Sequence, residues 1–168
     1  LAGRPDLDAA HSAALEIAAD IDPATGQYGE ERPNAVFLHP LSLSSDLLNR
    51  NHVPIQSVLF RRDILGPQDR FDPNLDALED WLFWMRLLVG RRVAASASIT
   101  SAFYVPASLP THQARMKAHL AAEPYFLTQR KAFSTARGIT DPAALAAASR
   151  ARMEAALAAA GGAEDPAR

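Results

Sequence analysis

An adjacent pair of acids, Glu79 and Asp80, is the feature of this sequence best suited to chemistry. The pair directly precedes an almost wholly apolar run, residues 81–89, in which Arg86 is the one charged residue. This run predicts a buried helix over residues 78–89 with both carboxylates in its first turn. Free backbone N–H groups and the helix dipole stabilise negative charge at that position. A carboxylate held rigidly there could act as a general acid or base at the edge of a cleft.

The acids belong to a longer ordered pattern. It begins with Asn-x-x-Pro-x-x-Ser-x-Leu-Phe-Arg-Arg at residues 51–62 and continues with Phe-Asp-x-x-Leu at 71–75. It ends with Glu-Asp-Trp-x-x-Trp-x-Arg-Leu at 79–87. The ordered set resembles the acceptor-side half of family 2 glycosyltransferases, which are inverting enzymes with the GT-A fold.

The resemblance implies an enzyme that transfers a sugar from a nucleotide-sugar donor to a glycan or another hydroxyl acceptor. Asp80 matches the general base, which takes the proton of the acceptor hydroxyl while that oxygen attacks the anomeric carbon. Glu79 matches the neighbouring acid, which is expected to support the base or to bind the acceptor. Further substrate-binding candidates are Trp81, Asn51, Arg61 and Arg62. One of the two arginines is expected to face a phosphate of the donor or to pair with an acid near Asp80.

The same residues also have plainer interpretations. Two acids can merely cap a helix, arginines at a strand end can extend into solvent, and aromatic residues at helical spacing are more often core. The alternative function is therefore a non-catalytic helical interaction module in which Glu79 and Asp80 are capping acids. Residues upstream of Leu1 would separate the two hypotheses, since an Asp-x-Asp cluster after a strand favours the enzyme.

The resembled enzymes hold their nucleotide and a divalent metal in an N-terminal half that ends in an Asp-x-Asp-type cluster. We match no segment of this chain to that cluster, and the first residue is Leu. We therefore expect a piece of a longer protein that binds no donor by itself. Magnesium or manganese is expected in the full enzyme, with ligands mostly outside this chain. The five histidines form no His-x-x-x-His or His-Glu-x-x-His spacing, so we assign no metal ligand here.

Composition restricts the class of protein. The chain has 168 residues, a hydrophobic content of 48% and a net charge of −2, which predicts a folded domain and disfavours nucleic-acid binding. It has no cysteine, which excludes disulfides. No apolar run approaches the ~20 residues of a membrane-spanning helix. We expect a cytoplasmic protein and leave open a peripheral attachment to the inner face of the membrane and the oligomeric state.

The expected fold class is α/β. Residues 1–110 would form part of a GT-A-like, Rossmann-like core with a small sheet, and residues 111–168 a helical tail. The predicted elements are a helix over 5–20, a loop over 21–36, a short strand over 36–38, a helix over 41–49, an inner strand over 55–60, one or two strands over 93–105, and helices over 111–136 and 141–160. Asp76 is the predicted N-cap of the 78–89 helix, Gly90 its C-cap, and Pro124 should break or kink the 111–136 helix.

Overall fold

The computed structural model describes residues 1–37, 46–49, 51 and 53–139. These residues form one mixed sheet and two α-helices, which confirms the coarse α/β class. The strands are β1 (Ala9–Ala18), β2 (Arg32–Phe37), β3 (Val58–Phe60) and β4 (Val93–Val105), and the helices are α1 (Glu79–Leu88) and α2 (Leu109–Ala136). Short 3₁₀ turns cover Asp46–Leu48, Ile55–Ser57 and Arg62–Ile64.

β1 is the central strand of the sheet. It pairs in antiparallel fashion with β2, where Ala14 lies opposite Phe37, and with β3, where Ala9 lies opposite Phe60. It also pairs in parallel with β4 from Ala9 to Ala18. Every described strand is therefore hydrogen-bonded to β1.

The helix predicted over residues 5–20 is wrong, because this segment forms β1. Its apolar residues fit a helical spacing, and alanine favours helices. However, burial alternates along the segment, with Ala9, His11 and Ala13 all under 5% exposed on one face of the strand. Hydrogen bonds to strands distant in sequence outweigh the local preference. His11 is thus a buried strand residue.

Two other strand predictions need correction. β2 begins at Arg32, inside the predicted loop 21–36, and thus takes in the start of the strand predicted at 36–38. β3 is shorter than the predicted 55–60, because Ile55–Ser57 turns in a 3₁₀ helix after Pro54. Among the described residues β3 pairs with β1 alone, and Leu59 is 62% exposed, so it is not an inner strand. Most of the helix predicted over 41–49 lies outside the described residues.

α1 is confirmed and forms the centre of the core. Its buried side chains belong to one hydrophobic cluster with Val93 of the sheet and Phe126 of α2. The centroids of the Phe60 and Trp84 rings lie 6.0 Å apart, so α1 packs against β3 of the sheet. The helix ends at Leu88, and Val89, not the predicted Gly90, is its C-cap. Gly90 follows with a φ of +84°, the left-handed geometry that a glycine just after a helix often adopts.

α2 runs through Pro124 as one helix, so the predicted break does not occur. Proline at this position removes the N–H that would bond to the carbonyl of Leu120. Leu120 is 63% exposed, so water can reach that carbonyl. The helix predicted over 141–160 lies outside the described residues. Within the described part of the chain, no helix combines the length and the apolar character needed to cross a membrane.

Shortening a buried side chain of α1 should strongly destabilise the protein. Met85 has no exposed surface, so Met85→Ala should lower the free energy of unfolding by about 2–5 kcal/mol through lost burial and the remaining cavity. Leu109 is 67% exposed, and Leu109→Ala should change it by less than about 0.5 kcal/mol. Urea unfolding at neutral pH measures both. Equal losses for the two variants would contradict the assignment of the core.

Asp20 should make the start of α2 sensitive to acid. Its carboxylate accepts hydrogen bonds from Ala107 N at 3.2 Å and Thr111 Oγ1 at 2.8 Å. Hydrogen bonds from the backbone of Ser108 and from Thr111 lower the pKa of Asp20 below its ordinary value of 3.8. The stabilisation is therefore complete above about pH 4 and is lost as the pH falls through the lowered pKa.

Asp20→Asn should accordingly destabilise the fold at neutral pH and flatten the loss of stability below about pH 4. Chemical unfolding at a series of pH values measures this. The control is Asp63→Asn, at an exposed position in the Arg62–Ile64 turn. An unchanged acid profile in Asp20→Asn would show that the contact with α2 contributes nothing.

Candidate functional site

A cavity of about 280 Å³ opens where the first turn of α1, the segment 51–56, the sheet and α2 meet. Its polar lining consists of Glu16, Asn51, Gln56, Asp80 and Arg115, and its apolar lining consists of Phe37, Val53, Pro54, Ile55 and Phe103. Of the two paired acids, Asp80 contributes to the lining. The cavity thus combines carboxylates, amides, a cation and aromatic surface.

Asp80 is held by two neighbours. The backbone N–H of Trp81 donates to its Oδ1 at 2.6 Å. Asn51 Nδ2 donates to Oδ1 at 3.1 Å and to Oδ2 at 3.2 Å. The Asn51 amide is itself oriented by Val53, whose N–H donates to Asn51 Oδ1 at 3.4 Å. The structure therefore joins two residues that the sequence pattern singled out.

The residue before the acids is strained. Leu78, and not the predicted Asp76, is the N-cap of α1, and its backbone is left-handed with φ 66° and ψ 9°. This conformation costs a branched side chain roughly 1–2 kcal/mol. The left-handed backbone of Leu78 turns the chain sharply into α1 and so sets the direction of the Glu79 and Asp80 side chains. Such strain is concentrated at functional sites, because the surrounding structure must enforce it.

Asp72 fixes the loop that leads into α1. It accepts hydrogen bonds from the Asn74 N–H at 3.1 Å and from the Tyr125 hydroxyl at 3.2 Å, and Arg86 lies 3.6 Å away. Burial alone would raise the pKa of Asp72, but the bonds from Asn74 and Tyr125 and the charge of Arg86 lower it on balance. Arg86 also donates to Gln129 at 3.1 Å. These contacts tie loop, α1 and α2 together.

The other sequence candidates lie away from the cavity lining. Trp81 Nε1 donates to the Leu47 carbonyl at 2.6 Å, and its ring lies 4.3 Å from that of Phe126, so much of it belongs to the core. Trp81 lines a neighbouring groove of about 390 Å³ beside α2. Glu79 is half-buried in the first turn of α1 and is absent from the cavity lining.

The two predicted substrate-binding arginines lie in different surroundings. Arg61 donates from Nε to the Leu7 carbonyl at 2.8 Å and from Nη2 to those of Leu1 at 3.0 Å and Arg4 at 3.1 Å. Its guanidinium thereby holds the segment that precedes β1. Arg62 is exposed in a 3₁₀ turn. Neither residue lines the cavity that contains Asp80.

Sequence reasoning missed the contribution of the sheet to this cavity. Glu16, Phe37 and Phe103 all lie on strands, and Glu16 was placed in a predicted helix. Arg115 enters from α2. Residues 9–13 read Ala-Ala-His-Ser-Ala, so the sequence offered no alternation that would mark this segment as a strand or show the side of the sheet on which Glu16 lies.

The spacing Asp-x-Asp does occur, at residues 6–8 and 20–22, which sequence inspection overlooked. All four carboxylates are engaged. Asp6 pairs with Arg4, whose hydrogen bond lowers the pKa of Asp6 to about 2, and Asp8 accepts from Arg92 N at 2.9 Å. Asp20 binds the start of α2, and Asp22 accepts from Ala24 N at 2.8 Å. No described group of three or more His, Cys, Asp or Glu residues is placed to hold a metal, and the magnesium or manganese expected in the full enzyme, with ligands mostly outside this chain, stays a prediction.

Comparison with known proteins gives no relative: no protein-family model, curated protein or solved structure matches this chain.

The contacts of Asp72 should contribute measurably to the free energy of unfolding. Asp72→Ala would leave donors of Asn74, Tyr125 and Arg86 without their acceptor, so it should lower the free energy of unfolding by about 1–3 kcal/mol. Asp76→Ala is the matched control in the same loop, because Asp76 is exposed and α1 has no side-chain cap. It should cost less than about 0.5 kcal/mol. A loss near 1 kcal/mol in Asp76→Ala would instead indicate a capping role for that residue.

Proposed function

We propose that this chain is the acceptor-side part of an inverting glycosyltransferase with a GT-A-like core, and that Asp80 is its general base. The observation that carries the proposal is the Asp80 carboxylate, which lines a cavity at the end of a buried helix while Asn51 and the Trp81 N–H hold it. The ordered pattern over residues 51–87 supports the same reaction class. The substrates would be a nucleotide-sugar donor and a glycan or other hydroxyl acceptor.

The hydrogen bonds on Asp80 leave room for a substrate. Each carboxylate oxygen can accept about two hydrogen bonds. Oδ1 accepts from both Trp81 and Asn51, whereas among the described residues Oδ2 accepts from Asn51 alone. Oδ2 therefore has a lone pair for the hydroxyl of an acceptor in the cavity. A general base must lie within hydrogen-bond reach of the proton that it removes.

The reaction is a single displacement. As the acceptor oxygen attacks the anomeric carbon, its proton passes to Asp80 Oδ2. The new bond forms while the bond from the anomeric carbon to the nucleoside diphosphate breaks, so the configuration inverts. The described residues assign no group to the diphosphate, and the proposal concerns the acceptor side alone.

Glu79 and Trp81 act through Asp80 in this proposal. Glu79 shares the first turn of α1, where it adds negative charge next to the base. Trp81 contributes its backbone N–H to Asp80, and the bond from its indole to Leu47 keeps that turn in place. Both are positioning residues, so their replacement should cost less than that of Asp80.

The competing hypothesis is a non-catalytic interaction module. One observation favours it: the Trp81 N–H bond to Asp80 is of the kind that any acid in the first turn of a helix can form. In that case Asp80 contributes to stability, and its charge has no further role.

Asp80→Asn decides between the two functions. In the complete enzyme with its donor-binding part, turnover should fall by about 10²–10⁴-fold, or roughly 3–5 kcal/mol of barrier, because Asn cannot take the proton. Asn keeps the shape of Asp and can still accept from Trp81, so the thermal melting temperature should change little. Donor affinity should also be unchanged. Glu79→Gln should reduce turnover less.

Asp76→Asn is the matched control, since Asp76 is an exposed acid close to the same turn. Its turnover should equal that of the wild type. Turnover of Asp80→Asn within a few-fold of that control would mean that the base lies elsewhere. A lowered melting temperature with intact turnover would support the interaction module.

A further inference from the structure

We propose that the Asp80 cavity binds one ring of a neutral pyranose sugar, and that Glu16 is its second hydroxyl-binding residue and sets which acceptor fits. The inference rests on the proposed function for the role of Asp80 as base, but sugar binding itself does not depend on catalysis. Three observations support it: the face of the sheet on which Glu16 lies, the hydrogen bonds that hold it, and the chemistry of the remaining lining.

The sheet presents Glu16 together with aromatic surface. Glu16 on β1 lies opposite Phe103 on β4, and Ala14, two residues before Glu16, lies opposite Phe37 on β2. Residues two apart in a strand, and residues opposite each other, share one face of a sheet. Glu16, Phe37 and Phe103 therefore occupy the same face. The two rings lie 5.3 Å apart in an edge-to-face arrangement.

One hydrogen bond orients the Glu16 carboxylate, which retains the capacity to accept more. Asn34 on β2 donates from Nδ2 to Glu16 Oε1. Among the described residues no hydrogen bond reaches Oε2, and Glu16 forms no ion pair. A carboxylate oriented by one amide and lining a cavity can accept hydrogen bonds from two or more hydroxyl groups. Glu16 thereby resembles Asp80, which Asn51 orients from another side of the cavity.

The remaining lining fits a sugar better than other small molecules. A pyranose has an apolar C–H face, which suits aromatic rings, and an edge of hydroxyl groups, which suits carboxylates and amides. Gln56 Nε2 donates to the Ala102 carbonyl at 3.2 Å, which leaves its oxygen for a hydroxyl. Arg115, which has no ion pair among the described residues, can donate to a sugar oxygen.

Charge and volume narrow the sugar further. Two carboxylates, Glu16 and Asp80, face one guanidinium, Arg115, so the lining carries a net negative charge that disfavours an acidic sugar. The volume of about 280 Å³ lies just below the roughly 300–1,000 Å³ that is usual for ligand pockets. This favours a single ring over an extended oligosaccharide.

The test is titration of the ¹⁵N-labelled chain with the methyl pyranosides of glucose, galactose and mannose, and with methyl glucuronide. At least one neutral pyranoside should bind in the millimolar range and shift the amide signals of Phe103 and Asn51. Glu16→Gln should weaken that binding by about tenfold or more, because it removes hydrogen bonds to a charged acceptor. Gln still accepts from Asn34, so the fold should be kept, and Glu16→Asp provides a second variant.

Glu30→Gln is the matched control. Glu30 is an exposed acid on the turn before β2, its described ion pair is with Arg32, and it does not line the cavity. Its sugar affinity should equal that of the wild type. Three outcomes would each overturn the inference. The first is that no neutral pyranoside shifts the amide signals of the cavity, and the second is that Glu16→Gln and the control bind the sugar equally well. The third is a tenfold preference for the glucuronide.

The two proposals fail separately. If sugar binding depends on Glu16 but Asp80→Asn retains full turnover in the complete enzyme, the sugar site is supported and the role of Asp80 as general base is rejected. If Asp80→Asn loses turnover but Glu16→Gln binds the acceptor as the wild type does, the transferase proposal is supported and the role of Glu16 is rejected.

Discussion

The burial of α1 between the sheet and α2 is the constraint on which the rest of this structure depends. Leu82, Met85 and Leu87 have at most 1% of their surface exposed, so the helix cannot rotate or slide without exposing them. Its first turn is therefore fixed with respect to both the sheet and α2. This is why an acid at that turn can have a defined position even though it lies at the end of the helix and faces a cavity.

The same constraint explains how a left-handed leucine persists beside the acids. The strain at Leu78 is roughly 1–2 kcal/mol, which is comparable to the net gain from one buried CH₂ or two. The core of α1 and the contacts of Asp72 with Tyr125 and Arg86 offset it. A gentler entry into the helix would avoid the strain but would direct Asp80 elsewhere.

Local signals in the sequence were sufficient for α1 and insufficient for the sheet. The apolar run after Asp80 and the glycine at its end define a buried helix without reference to any other segment. β1 could not be recognised in this way, because Ala9 pairs with Val93 and Phe60, both far along the chain. The candidate site divides similarly: the pattern over residues 51–87 predicted Asn51 and Asp80, while Glu16 and Arg115 come from elements that meet only in the folded chain.

Helix capping and catalysis make different demands on Asp80. Stabilising the first turn of the helix requires one oxygen, and Oδ1 meets that need through the Trp81 N–H. That role does not require an asparagine, distant in sequence, that contacts both carboxylate oxygens, nor an aromatic cavity lined by the same acid. Asn51 keeps the plane of the carboxylate fixed, which has little value for a cap and much for a base that must meet a hydroxyl at a defined angle. Oδ1 accepts from both the helix and Asn51, whereas the described residues give Oδ2 a single donor, and this difference favours the catalytic role.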